Sequence, residues 1–322
     1  MSLNRQTIFS LIILALLIAV PYAAPYLGGN YVVTQATRVV ILAIAALSLD
    51  LLIGRGNLVS FGHAAYFGLG GYVVAIASFH LANDVTLFGW SGSNEALIVW
   101  PLAMLVSGIA ALIIGALSLR TSGVYFIMIT LAFAQMLYFI FVALKYYGGD
   151  DGLSMRSRNL FAGERITNAT KFYWVCLGAL ALCLLVQWRL IVSRFGLALS
   201  GAASNERRMK ALGFSVYGYR LLAFTIAGMM AGLSGALWAN LNRFASPDMM
   251  SWLMSGEFMV MVIMGGVSSL FGPIVGAAIF VLVENWLSEL TEYWQVFFGP
   301  FVLLIALFAP RGVWGLLRGR LK

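Results

Sequence analysis

Charge is what this sequence has least of. Only 10% of its 322 residues are Asp, Glu, Lys or Arg, against 61% that are hydrophobic. A soluble domain carries roughly 25% charged residues, so this chain has too little polar surface to cover itself in water and reads as an integral membrane protein. Cysteine and histidine are equally scarce, with two of each. Cys176 and Cys183 stand in one apolar run. On a helix they are about 10 Å apart along the axis, too far for a disulfide within the chain. No His/Cys cluster offers a metal site. No Gly-Lys-Ser/Thr phosphate loop occurs, which excludes ATP hydrolysis by that route. No carboxylate pair has hydrolytic spacing and no Ser/His/Asp grouping is visible, so neither catalytic residues nor a cofactor are expected. The net charge of +8 does not point to nucleic acid, because no Lys/Arg stripe alternates with aromatics in a soluble segment.

What the chain does have is apolar runs. The first, Ile8 to Leu27, reaches the roughly 20 residues needed to cross hydrocarbon. It reads as a retained span rather than as a secretory signal with Ala23-Ala24 at its cleavage site. Nine more follow, near Thr37–Ile53, Phe61–Phe79, Leu97–Leu119, Val124–Leu144, Phe172–Trp188, Leu221–Leu241, Leu253–Gly266, Pro273–Leu290 and Trp294–Pro310. The expected fold is therefore all-α: one polytopic transmembrane bundle over residues 1–322, with about eight to ten spanning or partly spanning helices.

Between the sixth and seventh runs the chain turns basic. From Arg189 to Arg220 it carries Arg189, Arg194, Arg207, Arg208, Lys210 and Arg220, opposed only by Glu206. Lys and Arg near span ends resist translocation, which assigns this loop to the cytoplasm. Six runs precede it and four follow, so both termini fall on the same side, with Arg5, Arg55, Arg120, Arg311, Arg318, Arg320 and Lys322. Arg156, Arg158, Arg165, Lys171 and Arg243 fall on the other side, against the rule. Inside the loop a short helix is expected, with Ser204 or Asn205 as its cap. Glu206 stands four residues before Lys210, in the favourable order for an ion pair, and Gly213 lies just past the helix end. Met209 and Leu212 are expected to share one face. A helix of about two turns is marginal alone in water, so a partner protein is expected to support it.

Two elements look broken. Leu58–Tyr72 is rich in glycine and contains His63; Gly265, Gly266, Gly272 and Pro273 follow a short run. Interrupted helices at membrane depth survive only where protein or a watery cavity covers them. Both stretches carry Ser, Phe and Gly followed by His or Pro, a faint echo of two similar halves. Gly228 and Gly232, like Gly272 and Gly276, have the spacing that lets helices approach closely, read here as packing within the bundle. Asp50, His63, Glu257 and Glu284 lie in or beside apolar runs, where ionisable groups need protein or water around them. Asp50, close to Arg55, is read as reaching the cytoplasmic interface, and His63 as a structural hydrogen bonder. Glu257 is expected to face the bundle, hydrogen-bonded to a neighbouring helix; the competing reading has it lining a route and steering an ammonium group.

The residues also carry a resemblance. Ala45 to Gly54, Ser60 to Gly68, Arg120 with Thr130 to Phe133, Gly148-Gly149 with Gly152-Leu153, and Ser193 to Gly196 match in order. Asn205 to Arg208, Ala211 to Gly213, Tyr219 to Phe224, Ala231 to Leu237, Gly265-Gly266, Gly272 to Ala277 and Phe308 to Gly312 continue the match. Together they resemble branched-chain amino-acid ABC permeases of the LivM type over nearly the whole chain. Ser268 departs from the glycine usual in that family. The resemblance implies a permease subunit in the bacterial inner membrane. A second homologous permease, two cytoplasmic ABC ATPase subunits and a periplasmic substrate-binding protein would complete the importer. It makes Asn205, Glu206, Arg207, Arg208, Met209, Lys210, Ala211, Leu212 and Gly213 the coupling helix, within a cytoplasmic loop at about 191–219, followed by a tail at 311–322. Leucine, isoleucine and valine are the implied substrates, although related systems carry other amino acids, amides or urea.

The main alternative is an ion-coupled secondary transporter using Glu257, Glu284 or Asp50 as its ion site, which broken helices and midplane carboxylates also suit. It leaves the capped basic helix without a purpose.

Overall fold

In hydrocarbon a peptide group finds no water, so a long apolar run has to satisfy its own backbone as a helix. The computed structural model follows that rule and describes residues 5–86, 89, 91–166, 168–291, 293–308 and 312–317. Its helices are α1 Arg5–Leu27, α2 Asn30–Asp50, α3 His63–Asn83, α4 Ala96–Ser118, α5 Val124–Ala143, α6 Ala169–Val192, α7 Arg194–Ser204, α8 Glu206–Ala211, α9 Val216–Asn242, α10 Trp252–Gly265, α11 Gly272–Leu290, α12 Trp294–Phe308 and α13 Gly312–Leu317. The protein is an all-α polytopic bundle. Among the described residues, seven helical segments are long and apolar enough to cross a membrane, and three shorter apolar stretches, in α1, α10 and α12, accompany them. The tail residues 309–311 and 318–322, including Arg311, Arg318, Arg320 and Lys322, lie outside the described residues.

Helices α2, α3 and α9 form the interior: 83%, 78% and 67% of their most apolar windows are buried, against 17% for α5. What brings them together is the absence of side chains at the crossings. A Cβ on Gly235 of α9 would run into the Phe67 carbonyl oxygen of α3, and one on Gly70 into the Gly232 carbonyl. Gly228 and Gly232 meet Ala111 and Ser107 of α4. The small-residue spacing in α9 therefore packs the bundle internally, as does that of Gly272 and Gly276 in α11 against α10. Small residues suit this task in lipid, where close backbone approach replaces the missing hydrophobic drive between helices.

The two interruptions differ from each other. Residues 266–271 are non-helical, and Gly272 and Pro273 open α11, with Pro273 in its first turn. At the first site the sequence reading needs correction. The break is confined to residues 57–62, and α3 runs without interruption from His63 through its glycines, because those glycines are buried within the protein, Gly70 and Gly71 against α9 and Gly68 against Met250, rather than presented to lipid.

At the end of the bundle away from α8, four two-residue strands tie the loops: β1 Leu153–Ser154 pairs with β4 Phe244–Ala245, and β2 Leu160–Phe161 with β3 Glu164–Arg165. Asn240 in α9 accepts from the Asn159 backbone N–H at 2.9 Å, and Asn159 Nδ2 donates to Asn94 Oδ1 at 2.9 Å.

If these crossings hold the bundle, Gly235→Val lowers its stability by about 1–3 kcal/mol, the usual cost of overpacking. Gly256→Ala, where an added Cβ meets nothing within 4 Å, changes it little. Thermal unfolding in detergent checks the pair; equal midpoints would refute the packing.

Candidate functional site

The basic loop folds as two helices rather than the single short one expected, because Ser204 and Asn205 divide it. Ser204 Oγ closes α7 by donating to the Ser200 carbonyl at 3.0 Å, and Asn205 Oδ1 caps α8 by accepting from the Arg208 N–H at 2.9 Å. Glu206 then makes two ion pairs, with Lys210 at 2.7 Å and with Arg220 on α9 at 2.7 Å. The second fixes α8 to the membrane bundle. Hydrogen bonding from Lys210, partly offset by burial and reinforced by Arg220, holds the Glu206 carboxyl below the usual carboxylate range. Gly213 ends the turn at φ +86°, a conformation an L side chain adopts only under strain. Its N–H reaches the Lys210 carbonyl and that of Phe214 the Met209 carbonyl.

Met209 and Leu212 do not share a face. The Met209 side chain lies against Gly201 of α7, whereas Leu212 is 65% exposed. The exposed edge of α8 and its C-cap consists of Arg207, Arg208, Lys210, Ala211 and Leu212, two guanidiniums and an ammonium beside a small apolar step.

The second region is the broken core. Asp50 ends α2 buried within the bundle and accepts from the Ser268 backbone N–H at 2.8 Å. Ser268 Oγ donates to the Gly54 carbonyl at 2.5 Å. The two interruptions are thus tied to each other by one aspartate and one serine. Ser268 sits at φ +65°, which explains why glycine would suit the position. His63, at the start of α3 and fully buried, shares a 2.7 Å hydrogen bond with Ser48 through Nε2, while its Nδ1 has no partner among the described residues. Ser255 of α10 accepts from the Ala64 N–H at 3.0 Å. His63 is therefore a structural hydrogen bonder on one side only.

The third region joins α2, α9, α10 and α11. Glu284 is paired: Arg38 Nη2 donates to both its oxygens, at 2.7 and 3.0 Å. The Arg38 guanidinium also lies over the Trp238 ring, 5.6 Å from its centre. Glu257 has Glu284 and Arg38 as electrostatic neighbours. Among the described residues it has no hydrogen-bond partner, contrary to the expectation that a neighbouring helix would bond it. Arg38 escaped the sequence reading; the available signal was a lone arginine in an otherwise apolar run, and nothing local pointed to a glutamate 246 residues away.

A multi-pass bundle with interrupted helices, buried charge and a capped basic helix outside the spans is the architecture of a membrane permease. The chain belongs to the family described as branched-chain amino acid transport system, permease component, whose model matches residues 31–307. It is 25% identical to the high-affinity branched-chain amino acid transport system permease protein LivM of Salmonella typhimurium and 24% identical to that of Escherichia coli. Each match covers 100% of this chain and 79% of the relative. The autoinducer 2 import system permease protein LsrC of Photorhabdus laumondii is 27% identical over 133 residues, 39% of this chain and 40% of that one. No solved structure matches the chain.

Removing one partner of the Arg38–Glu284 pair leaves a charge uncompensated in an apolar setting, at a cost of about 3 kcal/mol. Arg38→Leu and Glu284→Leu should each destabilise the protein, and the double variant should lose less than the sum of the two. A double-mutant cycle on thermal unfolding measures this; additive losses would mean the pair is not coupled.

Proposed function

We propose that this chain is the transmembrane permease subunit of an ABC importer in the bacterial inner membrane and forms part of the route for a branched-chain or related amino acid. The observation that carries the reading is α8, a rigidly capped cationic helix fixed to α9 through Glu206 and Arg220 and projecting Leu212 outward. A loop that merely joined two spans would need no such construction. Separate cytoplasmic ATPase subunits supply the energy, with α8 seated in a groove of one of them, residues 205–213 forming the contact. A second homologous permease and a periplasmic binding protein complete the importer, and both termini lie in the cytoplasm. The LivM relatives' printed name, a branched-chain amino acid transport system permease, supports the choice of substrate.

Glu206→Lys combined with Gly213→Leu should abolish uptake while the protein still inserts. The first change sets a cation against Arg220; the second forces a side chain into φ +86°. Co-purification of the ATPase should fall with uptake, and retention of both would refute the assignment. Orientation is tested by cysteine labelling of intact cells: Ser91 and Asn168 should label from outside and Arg208 and Lys322 should not.

Within the bundle, Glu257, Glu284, His63 and the turn from Gly265 and Gly266 to Gly272 and Pro273 border the route. A carboxylate with no hydrogen-bond partner beside an ion pair gives an amino acid's ammonium group a place to pause. Glu257→Gln should leave folding intact and lower uptake at least severalfold. Unchanged uptake would return Glu257 to a passive role.

A further inference from the structure

The charges that defy the positive-inside rule are not scattered. Arg156, Arg158, Arg165 and Arg243 line one cavity of about 340 Å³ at the end of the bundle away from α8, and no carboxylate among the described residues lines it. The nearby Glu164 is engaged by Lys171 at 3.1 Å. The arginines are held together by the scaffold: Met155 N–H donates to the Arg243 carbonyl at 2.8 Å, β1 pairs with β4, and Asn159 is anchored on Asn240. Arg243 itself occupies a left-handed conformation at φ +55°. Burial and the neighbouring Arg243 charge together push the Arg158 guanidinium below its ordinary value. Like charges fixed this way gain from an anion that neutralises them.

Beside the basic cavity runs an apolar groove of about 510 Å³ between α4 and α6, walled by Trp100, Met104, Phe161, Trp174, Gly178 and Leu182, with Leu233 of α9 among its lining residues. The two share a border. Arg165, in the basic cavity, is the strand partner of Leu160, next to Phe161 in the groove. Arg158 lies over Phe172 in the first turn of α6, 4.9 Å from the ring centre, just before Trp174. From Trp174 to Leu182 the groove descends about 12 Å along α6, well into the hydrocarbon.

We propose that this composite is a binding site for an anionic glycerophospholipid, its phosphate among the four arginines and one acyl chain in the groove between α4 and α6. A soluble acidic protein would satisfy the arginines but has no use for an apolar channel descending into the membrane. A neutral lipid would fill the groove but offer no charge to Arg156, Arg158 and Arg243, none of which has an ion pair among the described residues. The site involves neither α8 nor the Arg38–Glu284 pair, and it stands independently of the transport reading.

The test is native mass spectrometry of the full-length chain, delipidated in mild detergent and offered dioleoyl-phosphatidylglycerol or dioleoyl-phosphatidylcholine. The parent should retain the anionic lipid in preference. Arg156→Gln with Arg243→Gln, both on exposed loop positions, should lower its retention roughly tenfold, toward that of the neutral lipid. Gly178→Leu fills the groove from a position where an added Cβ meets nothing within 4 Å; it should lower retention of the anionic lipid with the arginines intact. Size-exclusion profiles matching the parent establish that both variants fold, and Arg156→Gln alone replaces the double variant if it does not. Equal retention of the two lipids by the parent overturns the proposal. So does an unaffected Gly178→Leu protein, especially if inorganic phosphate then displaces the lipid, which would make the arginines a site for soluble anions.

Discussion

A polypeptide in hydrocarbon has to pair every peptide group within itself, and this fold depends on how it does so where its helices stop. Between α2 and α3, and again between α10 and α11, the chain leaves helical geometry. An unpaired polar group there would cost several kcal/mol. Asp50 accepts from the Ser268 N–H, Ser268 Oγ donates to the Gly54 carbonyl, and Ser255 accepts from the Ala64 N–H in the first turn of α3. These contacts place the ends of α2, α3, α10 and α11 beside one another. The glycine crossings of α3, α4 and α9 then pack the remainder around them.

The consequence is a bundle with a firm interior and deliberate discontinuities within it. Helix α8 is tied to α9 by Glu206 and Arg220, and α9 lies in the same interior as α2 and α3. A push on α8 therefore has a continuous path of packed backbone to the broken core. A permease whose energy arrives from outside its own chain needs such a path.

Much of this was legible in the sequence, for local reasons. Among the described residues the ten apolar runs are helical, and seven of those helical segments are long and apolar enough to span, because length and hydropathy act locally. The break at Gly265 to Pro273 was visible because Gly-Gly and Gly-Pro interrupt helices by their own backbone chemistry. Asn205, Glu206, Lys210 and Gly213 were readable because caps and i,i+4 pairs act within a few residues. What stayed hidden was long-range. Nothing near Asp50 in the sequence announced its bond from Ser268, 218 positions later. Arg38 and Glu284 find each other only in the fold. The glycines of α3 looked like helix breakers because burial against α9, which makes them useful, leaves no mark on their own segment. Met209 and Leu212 were assigned one face by periodicity, but α8 ends at Ala211 and Leu212 leaves it.

The central claim is that this bundle is driven through α8 by nucleotide hydrolysis on another subunit, not by an ion gradient on its own intramembrane carboxylates. Inverted membrane vesicles do not test import in the right direction, so the measurement is made in proteoliposomes. The chain is reconstituted with its companion permease and ATPase subunits, the binding protein is supplied outside, and leucine uptake is followed with ATP trapped inside. The account predicts uptake that requires internal ATP and persists when proton and sodium gradients are collapsed. Uptake that persists without ATP and follows an imposed proton or sodium gradient would contradict it.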